Sequence, residues 1–390
     1  MSTLDIDAVR DMFPTLGDPL WLNHGGGAPV PRAVSDAVCR VAQLSCEASP
    51  LVWVQAYVQD RDELRAALGR MIGSPPEQIA LTRSTAHGLS LVARGLDWRA
   101  GDNVVSARWE FPSNLYPWMA LERQGVALRL VEPVEGRVRP VDVLARIDDR
   151  TRVVAVSFVQ FWNGFRVDLA AIGAACRERG VLLVVDGIQG IGAVRLDVEA
   201  AHIDVLAAGA VKWLLGPVGI GFCYVRPEIV DRLQPATVGL GSMSRPELIF
   251  DPELDFSPTA RRFEESASSW YAIAGFLASV NLLESVGHDV VEQRVLANVR
   301  ELAAGLEDLG YELVEPWPRQ AAESSGLVAA RHRHRSVEAD LALLEAAGVF
   351  ARVYQDFLRF SPHFYNTDED LDRALSALDL SDHRRRRAGG

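Results

Sequence analysis

Lysine is all but missing from this chain. Of its 40 lysine and arginine residues, Lys212 is the single lysine. Every other long cationic side chain is a guanidinium, which stays protonated and cannot form an imine. Lys212 therefore either stands where only an amine serves or is a leftover surface lysine in an arginine-biased chain. Cysteine is scarce too. Cys39, Cys46, Cys176 and Cys223 form no CxxC pair and no metal-ligand spacing with histidine, which argues against structural zinc and disulfides. No run approaches the about 20 continuous apolar residues that cross a bilayer. Met1-Ser2-Thr3-Leu4-Asp5 has neither the positive nor the apolar region of a targeting segment, so a cytosolic location is expected. Positive charge is also in deficit. A formal net charge of -12 repels nucleic acid and anionic membrane, so neither is expected as a partner. The one basic run, Arg384 to Arg387, reads as a disordered tail over 381–390.

What remains is ordinary for a globular protein: 48% hydrophobic and 24% charged residues. Apolar β-branched segments at 78–82, 103–107, 126–131, 152–158, 181–185, 203–208 and 220–225 alternate with helical periodicity. That pattern predicts an α/β fold with a mostly parallel sheet. Residues 15–287 form the expected large domain. Residues 288–380, joined by 1–14, form a smaller α+β domain. Helices are expected at 5–13, 32–47, 54–72, 268–285, 289–309 and 367–379. Residues 233–262, rich in proline, glycine and serine, read as a long irregular segment.

Ligands of such sheets lie off the carboxyl ends of the strands. Lys212 and Asp186 both follow strands. No other charged residue lies between Asp204 and Arg226, so Lys212 should be desolvated and its amine free to attack a carbonyl. The usual protein cofactor with such a carbonyl is pyridoxal phosphate. Its ring acts as an electron sink when a carboxylate keeps the pyridine nitrogen protonated. Asp186, on a glycine turn after an apolar strand, suits that role or that of a helix cap. Gln189 suits the ring hydroxyl. Ser84, Thr85 and Ala86 open a helix, where they supply a cap or bind phosphate. Phe111 suits the ring face or the core. Gly25-Gly26-Gly27 after Asn23 and His24 is either a simple turn or a loop facing a ligand.

These residues carry a resemblance. The motifs are Leu22-Asn23-His24, Thr82-Arg83-Ser84-Thr85, Glu110-Phe111-Pro112-Ser113-Asn114, Val185-Asp186-Gly187-Ile188-Gln189, Lys212 through Gly221, and Leu358-Arg359-Phe360-Ser361-Pro362-His363. Along nearly its whole length the chain resembles a class V aminotransferase of fold-type I, in the cysteine desulfurase-like branch. The resemblance implies a seven-stranded sheet and pyridoxal phosphate bound through Lys212. It sets Asp186 against the pyridinium and Gln189 near the ring oxygen. Arg359 becomes the clamp on the substrate α-carboxylate. It also implies a homodimer with shared active sites, in which the segment from Glu265 to Ser269 reaches the partner's phosphate.

The departures are informative. Val211 stands where the family commonly has histidine, and Gly209 or Ala210 where it has serine or threonine. Ser266-Ala267 replaces a Gly-Thr pair, which leaves Ser266 and Ser268 as candidate phosphate ligands. Gln160 and Asn163 flank Phe161 where the family places an asparagine beside the ring. Phe111 replaces a histidine, and cannot transfer protons. Residues 340–360 contain no cysteine, whereas desulfurases need a mobile thiolate shortly before the clamp arginine. The expected activity is therefore β-elimination from an S-substituted cysteine in thiol or secondary metabolism, and not desulfuration. The alternatives are transamination, decarboxylating deamination, epimerisation and, outside catalysis, a scaffold. Asn23, His24, Tyr354 and Arg359 are the candidate substrate contacts.

Overall fold

The computed structural model describes residues 5–15, 19–250, 253–315 and 319–379; the basic tail at 381–390 lies outside them. Seven strands form the main sheet: β1 Ile79–Thr82, β2 Asn103–Ala107, β3 Ala127–Val131, β4 Thr151–Ser157, β5 Leu182–Asp186, β6 Val205–Gly209 and β7 Gly221–Val225. Their order is β1-β7-β6-β5-β4-β2-β3. Only β7 runs against its neighbours. The seven-stranded sheet is mixed and, as expected from sequence, mostly parallel, with four of its six pairings parallel.

Side chains along a strand point to alternate faces. Val154 and Val156 enter one core, and Val153 and Ala155 the other. Leu183 and Val185 likewise oppose Leu182 and Val184. Both faces are covered, which is why these strands read as continuous apolar runs. One face carries helices α1 Arg32–Glu47 and α2 Pro50–Ile72, with α5 Trp270–Val286 packed on both. Helix α3 Thr85–Gly95 packs on the opposite core, and α4 Leu169–Glu178 on the first.

A second, antiparallel sheet has the order β10-β11-β9-β8, from β8 Tyr311–Leu313, β9 Val328–His332, β10 Arg352–Tyr354 and β11 Phe357–Phe360. Helix α6 His288–Asp308 joins the two parts. A two-residue parallel pairing of Leu20–Trp21 with Val349–Phe350, a small sheet of its own, stitches the early chain to the segment just before β10. Two segments cross the expected boundaries. Val9 and Phe13, expected with the smaller domain, pack in the core of the large sheet. Leu20 and Leu22, expected with the larger, pack with Val299, Leu302 and Phe360. Arg10 still ties the early helix to the late chain through Asp370 at 2.6 Å. No helix of the described residues is long and apolar enough to cross a membrane.

Candidate active site

The carboxyl ends of the parallel strands converge on one edge. Asp186 ends β5 in register with Ser157 at the end of β4 and with Ala207 in β6. Gly209 ends β6, and Lys212 follows within one turn. That turn is tightly fixed. Ala210 N donates to Ile220 O at 3.0 Å, Leu215 N to Lys212 O at 2.9 Å, and Gly216 N to Ala210 O at 2.9 Å. Leu215 is fully buried with φ 56°, a left-handed backbone that only surrounding structure can impose on leucine.

Lys212 is 9% exposed, and no hydrogen bond or ion pair among the described residues holds its amine. Its Nζ lies 5.4 Å from the centroid of the Phe111 ring. Burial, then the charge of Arg359, push its pKa below the ordinary 10.5, while Asp186 pulls the other way. Burial, with Glu110 adding to it, raises the Asp186 carboxyl above its usual range, against the Ile188 N–H and Lys212. One Asp186 oxygen accepts from Ile188 N at 3.0 Å. The other, Oδ2, is buried without a partner. An orphaned carboxylate oxygen beside a free amine fits a group that brings both a carbonyl and a ring N–H.

Arg359 is fully buried. It donates to Phe161 O at 2.6 Å and to Asn23 Oδ1 at 3.1 Å, and its Nε has no partner. Among the described residues no carboxylate pairs with it, so an incoming carboxylate would complete it. A Cβ on Gly25 would come within 3.1 Å of Arg359 Nη2 and 2.8 Å of Leu327 Cδ2. The glycine loop is therefore a close-approach loop against this arginine. Asn23 orients the guanidinium from the same loop.

At the start of α3, Ser84 Oγ caps the helix by accepting from His87 N at 3.2 Å. Thr85 Oγ1 accepts from Gly209 N at 2.9 Å, tying the helix start to the lysine turn. These two hydroxyls do internal work, which leaves the amides of Thr85 and Ala86 for a phosphate. Ser266 and Ser268 line a separate cleft with Arg83 and His87, and Ser268 N donates to Tyr57 OH at 3.1 Å.

Other expected residues are placed differently. His24 is fully buried, with its ring nitrogens on Ser361 O at 2.8 Å and on Tyr365 OH, so it has no polar atom left for substrate. Asn163 donates to Gly136 O at 2.6 Å and accepts from Phe165 N at 3.1 Å. These bonds fasten the loop and leave one amide hydrogen on Asn163. Gln189 donates to Gly25 O at 2.9 Å and accepts from Trp213 Nε1 at 3.2 Å, which leaves one amide hydrogen. Gln160, by contrast, keeps a buried carbonyl oxygen without a partner. Tyr354 lies against Arg359, its ring centroid 4.7 Å from the guanidinium carbon.

Sequence reasoning missed Glu110 as a functional residue. Its buried carboxylate accepts from Ser157 N at 2.7 Å, Ser157 Oγ, Gln160 Nε2 at 2.9 Å and Asn114 Nδ2 at 3.2 Å. The signal is a lone acid three residues past the end of β2 and next to Phe111. Among the described residues no cluster of acidic, histidine or cysteine side chains could hold a metal ion.

A lysine after one strand of a mixed seven-stranded sheet, with an aspartate ending the next strand, defines a fold-type I pyridoxal phosphate protein. The chain belongs to the aminotransferase class-V family, whose model matches residues 28–374. It is 27% identical over 377 residues to an uncharacterized aminotransferase, YcbU, of Bacillus subtilis, covering 95% of this chain and 97% of that one. It is 28% identical to a probable cysteine desulfurase of Methanothermobacter thermautotrophicus over 93% of this chain and 94% of the relative. The cystine C–S lyase C-DES, solved with its product cysteine persulfide, superposes with a TM-score of 0.86 at 25% identity over 94% of this chain and 98% of that one. The protein is a pyridoxal-phosphate-dependent enzyme of this family.

Proposed function

We propose that the enzyme is a carbon–sulfur lyase that converts an S-substituted cysteine and water to a thiol, pyruvate and ammonia. The observation that carries this reading is the hairpin before the clamp. Tyr354 pairs with Phe357, so Gln355 and Asp356 alone make the turn, with Gln355 at φ 50°. A two-residue turn leaves no room for a mobile thiol-bearing loop, and residues 340–360 have no cysteine. Cys176 and Cys223 are buried, their thiols pushed up to about 12 by desolvation. Relatives named cysteine desulfurase lean the other way, so desulfuration stands as the outcome that would replace this reading.

When bound, pyridoxal phosphate lends its ring as a sink for the electron pair left at the substrate α-carbon. Lys212 and Asp186 would hold it, the Thr85 and Ala86 amides would take the phosphate, and Gln189 would offer its remaining amide hydrogen. Arg359, aimed by Asn23 and Phe161 O, fixes the α-carboxylate. The lowered pKa of Lys212 raises the share of free amine, the form that takes the α-proton. Phe111 carries no proton. His24 and His363 are fully buried and held by internal hydrogen bonds, so Lys212 is the base at this face. As the α-proton leaves, the pair at the α-carbon forms the double bond to the β-carbon. Sulfur departs with the electrons of its bond and takes up a proton. The reading includes a cytosolic homodimer, supported by the exposed apolar start of α2 at Leu51, Val52 and Val54.

Product analysis with a panel of S-substituted cysteines and with cysteine itself tests this. Pyruvate, ammonia and thiol in equal amounts are expected. Alanine and persulfide sulfur from cysteine would make the enzyme a desulfurase. Conversion of the cofactor to its aminated form without pyruvate would make it a transaminase. Solvent deuterium at the α-carbon alone would make it an epimerase.

A further inference from the structure

The turn that carries Lys212 is fastened to the segment that carries the clamp. His363 lies four residues beyond Arg359 and is fully buried. Its Nε2 meets Trp213 O at 3.1 Å, and a carbonyl can only accept, so the ring proton sits on Nε2. Its Nδ1 accepts from Phe364 N at 2.8 Å, which fixes the same tautomer. Burial lowers the His363 pKa from 6.5 to about 4, so the ring is a neutral donor and carries no proton to the reaction. The carbonyl it holds belongs to the residue next to Lys212.

A second route leads from the same tryptophan to the same segment. Trp213 Nε1 donates to Gln189 Oε1 at 3.2 Å, Gln189 Nε2 to Gly25 O at 2.9 Å, and Gly25 N to Ser361 Oγ at 2.9 Å. Ser361 stands midway between Arg359 and His363. The carbonyl and the indole of Trp213 therefore reach residues 361–363 separately, and the bonds close a ring. The other bonds of the turn run elsewhere: Gly209 N to Thr85, Ala210 N to Ile220 O, and Ala28 N to Val211 O. Trp213 has no room to shift within this frame. A Cβ on Gly326 would come within 2.4 Å of its Cη2, and one on Gly192 within 2.5 Å of its O.

The chemistry gives the ring a purpose. The carboxylate that Arg359 takes and the proton that Lys212 takes sit on one α-carbon. Guanidinium and amine must therefore keep a fixed spacing, and an error of about 1 Å costs on the order of a hundredfold in rate. Arg359 belongs to β11 of the small sheet, whereas Lys212 follows β6 of the large one. That spacing needs a tie between the two sheets.

We propose that His363 and Trp213 are positioning residues, and that their ring of hydrogen bonds sets the Lys212 amine at its working distance from Arg359. The proposal rests on Lys212 as the base of the reading above, and not on what leaves the substrate.

The probes are L-alanine and S-methylcysteine. Alanine has nothing to expel, so exchange of its α-hydrogen for solvent deuterium, followed by NMR, reads the base alone. Holoenzymes of wild type, His363→Leu, His363→Gln and Trp213→Phe are compared, with folding checked by denaturation. His363→Gln keeps an N–H for Trp213 O, and His363→Leu does not. His363→Leu should slow exchange at saturating alanine about tenfold to a hundredfold. The half-saturating concentration should stay near that of wild type, because Arg359 keeps Asn23 and Phe161 O. Visible circular dichroism per bound pyridoxal phosphate should weaken in step, and His363→Gln should recover most of both. Trp213→Phe keeps the carbonyl tie and loses the indole one. It should slow exchange about threefold to tenfold, and it carries the test if His363→Leu does not fold. The dichroism needs no substrate, so it decides even where alanine binds poorly.

Wild-type exchange and dichroism in His363→Leu and Trp213→Phe would overturn the proposal. So would a His363→Gln protein no better than His363→Leu. The expected exchange and dichroism without pyruvate from S-methylcysteine would sink the lyase reading and leave the positioning role standing. Pyruvate at one rate from all four proteins, with exchange and dichroism unchanged, would do the reverse.

Discussion

The guanidinium carbon of Arg359 lies 4.7 Å from the centroid of the Tyr354 ring. This buried cation is held by a ring face, a carbonyl and an amide, and by no carboxylate among the described residues. Arg359→Met should therefore raise the substrate KM about tenfold to a hundredfold through loss of a charged hydrogen-bonded pair. It should leave the stability of the substrate-free protein unchanged or higher, because an uncompensated buried charge is removed. Steady-state kinetics and denaturation together check both halves. A normal KM would remove Arg359 from the clamp.

Lys212 carries a comparable burden. Its folded pKa is lowered from 10.5 to about 8, so between those values the unfolded chain binds more protons than the folded one. The cofactor-free protein should gain stability as pH rises across that window, and below it the full penalty applies. Lys212→Met should be more stable than wild type at neutral pH, with the advantage shrinking toward pH 10. Denaturant midpoints at two pH values decide it. The same variant should lack the visible absorption of the holoenzyme.

Asp186→Asn keeps the shape and loses the charge. Pyridoxal phosphate should still bind, while turnover falls on the order of a thousandfold if the lost electrostatic stabilisation is typical. Rates within a factor of a few of wild type would take Asp186 out of the chemistry.

Glu110 accepts from three residues in a buried pocket. Glu110→Gln must turn its NH2 group toward one of two donors, Gln160 Nε2 on one side or Asn114 Nδ2 on the other. A loss of about 2 kcal/mol or more is expected, measured by chemical denaturation. Removing its charge should also bring the Asp186 carboxyl down toward its ordinary range.

Thr85→Val removes the acceptor for Gly209 N–H and leaves that amide buried. The cost should be about 1–3 kcal/mol of stability. Weaker pyridoxal phosphate retention should accompany it, since the helix start and the lysine turn lose their link. Equilibrium dialysis of the cofactor checks the second effect.

The parts of the site legible in the sequence are those where local chemistry is unusual. Lys212 and Asp186 are charges at the ends of apolar strands, and helix and strand periodicity located most elements of the large sheet. The start of α1 falls where expected, at Arg32. Helix α2 begins at Pro50, earlier than the expected 54, because proline at a first turn starts helices that apolar spacing alone does not reveal. The hydrogen bonds of His24 and Asn163 are not legible in the sequence because their partners, Ser361 and Gly136, are remote along the chain. Whether a polar side chain faces a ligand or fastens a loop depends on such partners. The Leu20–Trp21 pairing with Val349–Phe350 is too short for any period.

The solitary lysine also makes the chain a gauge of its own opening. A lysine-specific endoprotease has one internal target, the bond between Lys212 and Trp213. Trp213 and Leu215 are fully buried, and the turn is bonded on both sides. Cleavage at that bond needs the sheet edge to come apart, so its rate reports how often the centre of the molecule opens. Loading with pyridoxal phosphate should slow that single cut by modifying the lysine and by stabilising the closed state.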